Sequence, residues 1–557
     1  MTSASAEPEI LSSAQRWLIT VTVMLGALSA ALATTIINVA IPQIQGAFGM
    51  SQDHAQWLFS GTLAAVTATM MLNAWLMQSF GERNTFVAAL GIFLAASVVG
   101  GLAPNAAILI ACRIAQGAMA GVMMPLAMYT LFRIFPPDKR GQAMGIYGIG
   151  IVLAPVFGPT VGGMLIDAFN WRYVFFMTVP TSIIGIVAGI LYMPGKEPGA
   201  QRTRLDWQGF LIMLAFMGCL LVGLSNGQRE GWGSSTILRL LIAAALLLVG
   251  FLVWESRTSH PLLDLRIFSN RRFAAASAVA FTIGLGLFGF TYLVPQFAQT
   301  VQRFTPTDSG LMMMPGGLAL AIVFPLAGRL GDRLPPHQPV FVGLFCFSVC
   351  AYLMSRLDVN SSFWHISLLI LFSWISIGLV NPPLNAGALR SLNPELLGQG
   401  SGMINFFRQL GGAIGVNLLT VMMDRRTFFH SDALTQLQSP ANPETAEFLR
   451  LTGQLLAQGG ASEDLQQSGA LHFLGQVISA QASAMGFQDG FMIISILFAI
   501  TLIPAWAMGV VGRPEGSPLG GRPEGSPLGG RPEGSPLGGR RQQTGLPGPI
   551  VPATPAY

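Results

Sequence analysis

The chain has 557 residues, of which 52% are hydrophobic and only 10% charged, with a formal net charge of +5 and a mean hydropathy of +0.57. A soluble chain carries about 25% charged residues, so this composition excludes a large water-facing surface and points to a protein embedded in a bilayer. The basic residues are scattered over many loops, which excludes a nucleic-acid-binding stripe, and neither a GxxxxGK[ST] phosphate loop nor an HExxH pair is present to suggest an ATPase or a zinc protease.

At about 20 apolar residues per crossing, the hydropathy pattern predicts spans near 17–41, 55–77, 85–102, 106–130, 141–166, 173–193, 207–225 and 236–254. Six more follow near 273–298, 309–328, 338–356, 366–388, 401–423 and 490–511, which makes fourteen. Ala31-Leu32-Ala33 resembles a signal-peptidase site, but the segment before it carries Glu7 and Glu9 with only Arg16 positive, and cleavage would upset the charge pattern that follows. With the N-terminus inside, the inner loops hold fourteen Lys and Arg against five in the short outer loops, so both termini are expected in the cytoplasm. Cys112, Cys219, Cys346 and Cys350 lie in apolar runs and imply no disulfide framework.

Residues 424–489 read as a long polar segment on the outer side. Within it, Glu444–Gln458 is expected as an amphipathic helix with Phe448, Leu451, Leu455 and Leu456 along one side. Ser462, followed by Glu463 and Asp464, is the expected start of a second outer helix. The tail 512–557 repeats Gly-Arg-Pro-Glu-Gly-Ser-Pro-Leu-Gly three times, a composition that cannot bury a core.

The densest glycine and proline run lies in the fifth span and includes Gly150, Pro155, Gly158, Pro159, Gly162 and Gly163. Glycine lets helices approach closely, and proline frees a carbonyl and bends the helix. This run resembles the antiporter motif (gxxxGPxxGG) of the major facilitator superfamily. Arg113-Ile-Ala-Gln116-Gly117 is similar to that family's RxxQG stretch. Asn38-Val-Ala-Ile-Pro42, Trp171-Arg172-Tyr-Val-Phe-Phe, Asn405-Phe-Phe-Arg408-Gln-Leu-Gly-Gly and His260-Pro-Leu-Leu-Asp264 resemble its fourteen-span drug:proton antiporter subfamily. The long segment before the last span resembles the EmrB type of multidrug exporter.

The resemblance implies an all-α membrane protein of the major facilitator fold, with six-helix halves at 17–193 and 273–511 and two inserted spans in the linker 194–272. It also implies proton-coupled export of organic, partly apolar compounds across the bacterial inner membrane. A periplasmic adaptor and an outer-membrane channel are the implied partners, beside the lipid bilayer and a small-molecule substrate. No enzyme activity, cofactor or metal is expected.

The sequence departs from the subfamily in two places. The loop pattern GxLaDrxGrk reads Ala74-Trp-Leu-Met-Gln78-Ser-Phe-Gly81-Glu82-Arg83, with Gln78 in place of the acid. Its second-half counterpart keeps Asp332 between Arg329 and Arg333, so Gly81, Arg83, Asp332 and Arg333 are the candidate gating residues. In the first span, the acid associated with proton coupling is replaced by Ala33. None of the 25 acids falls deep in a predicted span, and Asp167, at the outer end of the fifth, is the candidate proton site. Arg113 and Arg408 are the deeply placed charges, and a charge kept in a membrane is a functional candidate because it is costly. With Asn38, Gln116, Asn385 and Asn405 they form the expected substrate cavity or coupling set. Buried cations without buried acids favour neutral or anionic ligands. The missing first-span acid leaves open a proton-independent facilitator. An exporter of a secreted metabolite or siderophore, or a docking scaffold, are the remaining alternatives.

Overall fold

The structure is a computed structural model and describes residues 12–50, 52–195, 204–259, 261–439 and 442–510. The repeat tail therefore lies outside the described residues, as do the side chains of Asn38, Pro155 and Pro159. The helices run α1 Ser13–Phe48, α2 Gln52–Thr69, α3 Asn73–Phe80, α4 Glu82–Gly101, α5 Ala106–Ile134, α6 Arg140–Ala168, α7 Tyr173–Phe176 and α8 Thr178–Tyr192. They continue as α9 Trp207–Glu230, α10 Ser235–Arg257, α11 Arg271–Thr300, α12 Pro306–Arg333, α13 His337–Met354, α14 Phe363–Arg390, α15 Leu397–Gln436, α16 Pro443–Gln458 and α17 Glu463–Val510.

Among the described residues, thirteen helical segments are long and apolar enough to cross a membrane. The remaining predicted span, the fifth, is occupied by the 29-residue α6. The helices begin where the sequence supplies caps. Ser12 and Gln15 form a capping box on α1, Asn105 caps α5, Asp206 caps α9, and Thr305 caps α12 just ahead of Pro306. The lipid-facing surface is apolar in stripes: α10 exposes Leu238, Ile242, Leu246, Val249 and Val253 at helical spacing.

Helices α1 to α8 form a first bundle and α11 to α17 a second, with the α9–α10 hairpin packed on α2 and α15. Glycines set the closest approaches. A Cβ at Gly411 or Gly415 of α15 would strike the backbone of α11 at Phe281 or Leu285, and one at Gly121 of α5 would strike α2 at Val66. The α2–α3 span is broken by a 3-10 turn at Met70–Leu72.

The polar segment after the thirteenth span departs from expectation. Both expected outer helices are present and pack on each other, but the second is continuous with the last span rather than separate from it. The helix of that span continues to Gln436, and the second expected outer helix is the beginning of α17, which runs unbroken for 48 residues into the last span. At 1.5 Å per residue α17 is about 70 Å long, more than twice the roughly 30 Å hydrocarbon core. The expected amphipathic helix is α16; Phe448 and Leu456 are half-buried, while Leu451 and Leu455 are exposed. We call this extension the arm, and the opposite side of the bundle, with Arg83, Arg133, Arg333 and Arg390, the basic end.

Candidate functional site

Three polar clusters hold the sequence-predicted residues. The first lies inside the first bundle. Arg113 is 2% exposed, and its Nη1 donates to the Ala33 carbonyl at 2.9 Å and to Gln116 Oε1 at 3.0 Å. The Gln116 amide passes the chain on to Ser97 Oγ at 2.8 Å, and Thr178 Oγ1 reaches the same hydroxyl at 3.2 Å. Arg113 and Gln116 share a helix face because they are three residues apart. A small pocket opens here between Ala33, Ile36, Arg113, Gln116, Phe175 and Thr178. Arg113 Nε is buried without a partner. The partners of the guanidinium are a carbonyl and an amide, not a carboxylate, because Ala33 supplies only its backbone.

The second cluster joins the two bundles. Tyr147 of α6 is fully buried and donates its hydroxyl to Asn405 Oδ1 of α15 at 3.1 Å. The Asn405 amide donates to the Ser401 carbonyl at 2.9 Å and meets Met128 Sδ of α5 at 3.2 Å. One turn farther along α15, Arg408 donates to Asn385 Oδ1 of α14 at 2.7 Å, leaving its Nε buried and unpaired. Asn385, Asn405 and Arg408 are thus brought together, whereas Arg113 and Gln116 sit apart in the first bundle. Tyr147, in an apolar stretch ahead of the glycine run, gave no signal in the sequence.

The third cluster closes the basic end. Asp332, near the end of α12, accepts from the Gly141 N–H at 2.6 Å and the Gln142 N–H at 2.9 Å, the first N–H groups of α6. A carboxylate at a helix N-terminus satisfies orphan donors and matches the helix dipole. Arg390 of α14 bonds the same carboxylate and donates to the Gly331 carbonyl at 3.0 Å and the Pro137 carbonyl at 3.3 Å. The two helices approach through bare backbone: a Cβ at Gly141 would strike Gly328, and one at Gly145 would strike Phe324. A second seam sets Gly402 and Gly398 of α15 against Met70, Ala74 and Met77.

The first-bundle counterpart of Asp332 has no such latch. Gln78 is exposed. Glu82 instead turns inward, accepting from Thr130 at 2.8 Å and pairing with Arg133 at 2.6 Å. Gly81 takes a left-handed φ of 81° between α3 and α4, and Arg83 donates to the Met193 carbonyl at 2.8 Å. Arg333 is exposed. In the glycine run, Gly150 and Gly162 pack on Met24 and Ile36 of α1, Gly158 is buried, and Gly163 faces open space. Asp167 is exposed near the arm-side end of α6. Arg172 is engaged elsewhere, with the Gly101 and Ala103 carbonyls and the Trp171 ring.

The Major Facilitator Superfamily model matches residues 23–416. The uncharacterized MFS-type transporter YhcA of Bacillus subtilis is 31% identical over 474 residues, covering 85% of this chain and 89% of that protein. The multidrug export protein EmrB of Escherichia coli K12 is 29% identical over 503 residues, covering 89% and 96%. The solved structure of the proton:xylose symporter XylE superposes with a TM-score of 0.58 at 13% identity, covering 89% of this chain and 96% of that one, which shows the fold. Two helical bundles meeting at a polar core and a latched end, the apolar multi-span surface and the family match over most of its length agree: this chain is a transport protein rather than an enzyme, and it belongs to the major facilitator superfamily.

Proposed function

We propose that this chain exports organic, partly apolar compounds across the bacterial inner membrane by proton-coupled antiport, with its termini and its basic end in the cytoplasm. The direction of transport rests on the likeness to the export protein EmrB over 89% of the chain. The mechanism rests on the latch. Asp332, Arg390 and the start of α6 hold the two bundles together at the basic end, and the glycine seams let backbones meet there. Release of these contacts would let one bundle rock against the other and open the Tyr147–Asn405–Arg408 region to the cytoplasm. Arg408 there, bonded to an amide and not to an acid, favours neutral or anionic amphiphiles. The arm, with Leu451, Leu455, Leu465 and Phe473 exposed, is the face on which a periplasmic adaptor would dock, leading to an outer-membrane channel.

A second reading, facilitated export without a proton, is favoured by one observation: Arg113 meets the Ala33 backbone where the subfamily places an acid. Transport by the reconstituted protein with and without an imposed pH gradient separates the two. Concentrative export that needs the gradient supports antiport. Equilibration alone, unchanged by the gradient, supports the facilitator and removes Asp167 from consideration as a proton site.

A further inference from the structure

The inserted hairpin carries a feature that the transport reading does not use. Asp206 caps α9 and Glu255 lies in the last turns of α10, at the basic end. The two carboxyl groups face each other across Gly209. A Cβ built on that glycine would lie 2.6 Å from Asp206 Oδ2 and 2.6 Å from Glu255 Oε1, so these oxygens are no farther apart than twice that distance. Glycine at this position is what leaves the space between them open.

The two acids are held differently. Asp206 is well supplied with donors: it accepts from the Gly209 N–H at 2.9 Å and, through both oxygens, from Trp254 Nε1 at 3.1 and 2.9 Å. Glu255 is 4% exposed. Its Oε2 accepts from the Leu263 N–H at 3.1 Å and the Leu262 N–H also acts on the carboxylate, but its Oε1 is buried and makes no hydrogen bond. A buried carboxylate oxygen without a donor is costly, and more so beside a second negative charge.

No cation relieves the pair among the described residues. Asp206 is the charged group that acts on Glu255. At this end of the hairpin and its linker, Arg204 and Arg257 are exposed, and Arg266 pairs with Asp264 at 3.1 Å. On α15, the neutral Gln399 accepts from the Asp264 N–H of the linker at 3.3 Å.

We propose that Glu255 and Asp206 form a proton-binding site, in which Glu255 is protonated and its Oε1–H donates to the Asp206 carboxylate. One proton satisfies the orphan oxygen and removes the like-charge contact. On deprotonation the Oε1–H bond breaks, the proton leaves to solvent, and two negative charges are left face to face between α9 and α10. Because Glu255 also holds the Leu263 backbone, the proton sits at the junction where the inserted hairpin passes into the second bundle. The site stands independently of the substrate and of the direction of transport.

Infrared difference spectroscopy on the purified full-length protein in lipid nanodiscs tests this directly. The expected result is a protonated-carboxyl C=O band that disappears on alkaline titration and is absent from Glu255→Gln, which mimics the protonated shape and should fold. In Asp206→Asn the band should persist but move to higher frequency, because an amide replaces the carboxylate as acceptor. Absence of the band at every pH, or its survival in Glu255→Gln, would overturn the assignment. A band lost in Glu255→Gln yet unmoved in Asp206→Asn would overturn the pairing.

Discussion

At the scale of single residues, the latch makes the sharpest predictions. Asp332 accepts two backbone N–H bonds and an arginine, and bonds to a charged group are worth about 1.5–3 kcal/mol each. Two of these bonds cross between the bundles, so replacing it with alanine should shift the closing equilibrium by at least about 2 kcal/mol, roughly thirtyfold or more, toward a basic end open to solvent. Thiol labelling of single cysteines placed on α6 and α12 near the seam should accelerate accordingly. Unchanged labelling would mean that the glycine seams alone hold the end shut. Tyr147→Phe removes one neutral bond to Asn405, worth about 1 kcal/mol. It should weaken substrate binding a few-fold, read as a raised KM with little change in kcat; an unchanged KM would take Tyr147 out of the site. The sequence made Asp332, Arg408 and Asn385 legible because charge or amide in an apolar context is conspicuous. It could not show that Asp332 caps α6, since that contact joins residues 190 apart. Arg390 read only as one more inner-loop charge, and Tyr147 read as an ordinary apolar-run aromatic.

At the scale of elements, the glycine run was legible as a packing helix, but the face it uses was not. Gly150 and Gly162 pack within the first bundle on α1, while the contact across the bundles is made earlier in α6, at Gly141 and Gly145. Periodicity cannot distinguish which neighbour a glycine meets. Gly141→Leu should therefore hold the basic end open and abolish transport, whereas Gly163→Ala, with nothing facing it, should leave transport within a factor of about two. Transport assays on both variants at equal membrane levels check this, and equal damage from the two would contradict the seam. The two outer helices of the arm were legible at nearly their observed bounds, but the continuity of α15 and α17 with their spans was not. Hydropathy marks where the bilayer ends, not where a helix ends, and α15 and α17 stay helical through polar sequence because no Pro or cap stops them at the boundary.

At the scale of the whole molecule, the span pattern could be anticipated because bilayer thickness imposes a length that composition must meet, whereas the two halves were implied only by the family resemblance. The pairing of bundles could be read from neither. As the proposed docking face for an adaptor, the arm acts apart from the transport cycle. Replacing residues 437–462 with a short flexible linker should preserve transport by the reconstituted protein while abolishing compound resistance in cells that depend on the adaptor. Retained resistance in such cells would remove the adaptor from the account. Inside-out membrane vesicles carrying this chain test its main claim most directly, since their lumen stands for the exterior and their outer face for the cytoplasm. With an imposed gradient, acid inside, the vesicles should accumulate a fluorescent neutral or anionic amphiphile, and Gly141→Leu should abolish the uptake. Accumulation no greater than in vesicles lacking the chain, across a panel of such compounds, would contradict it.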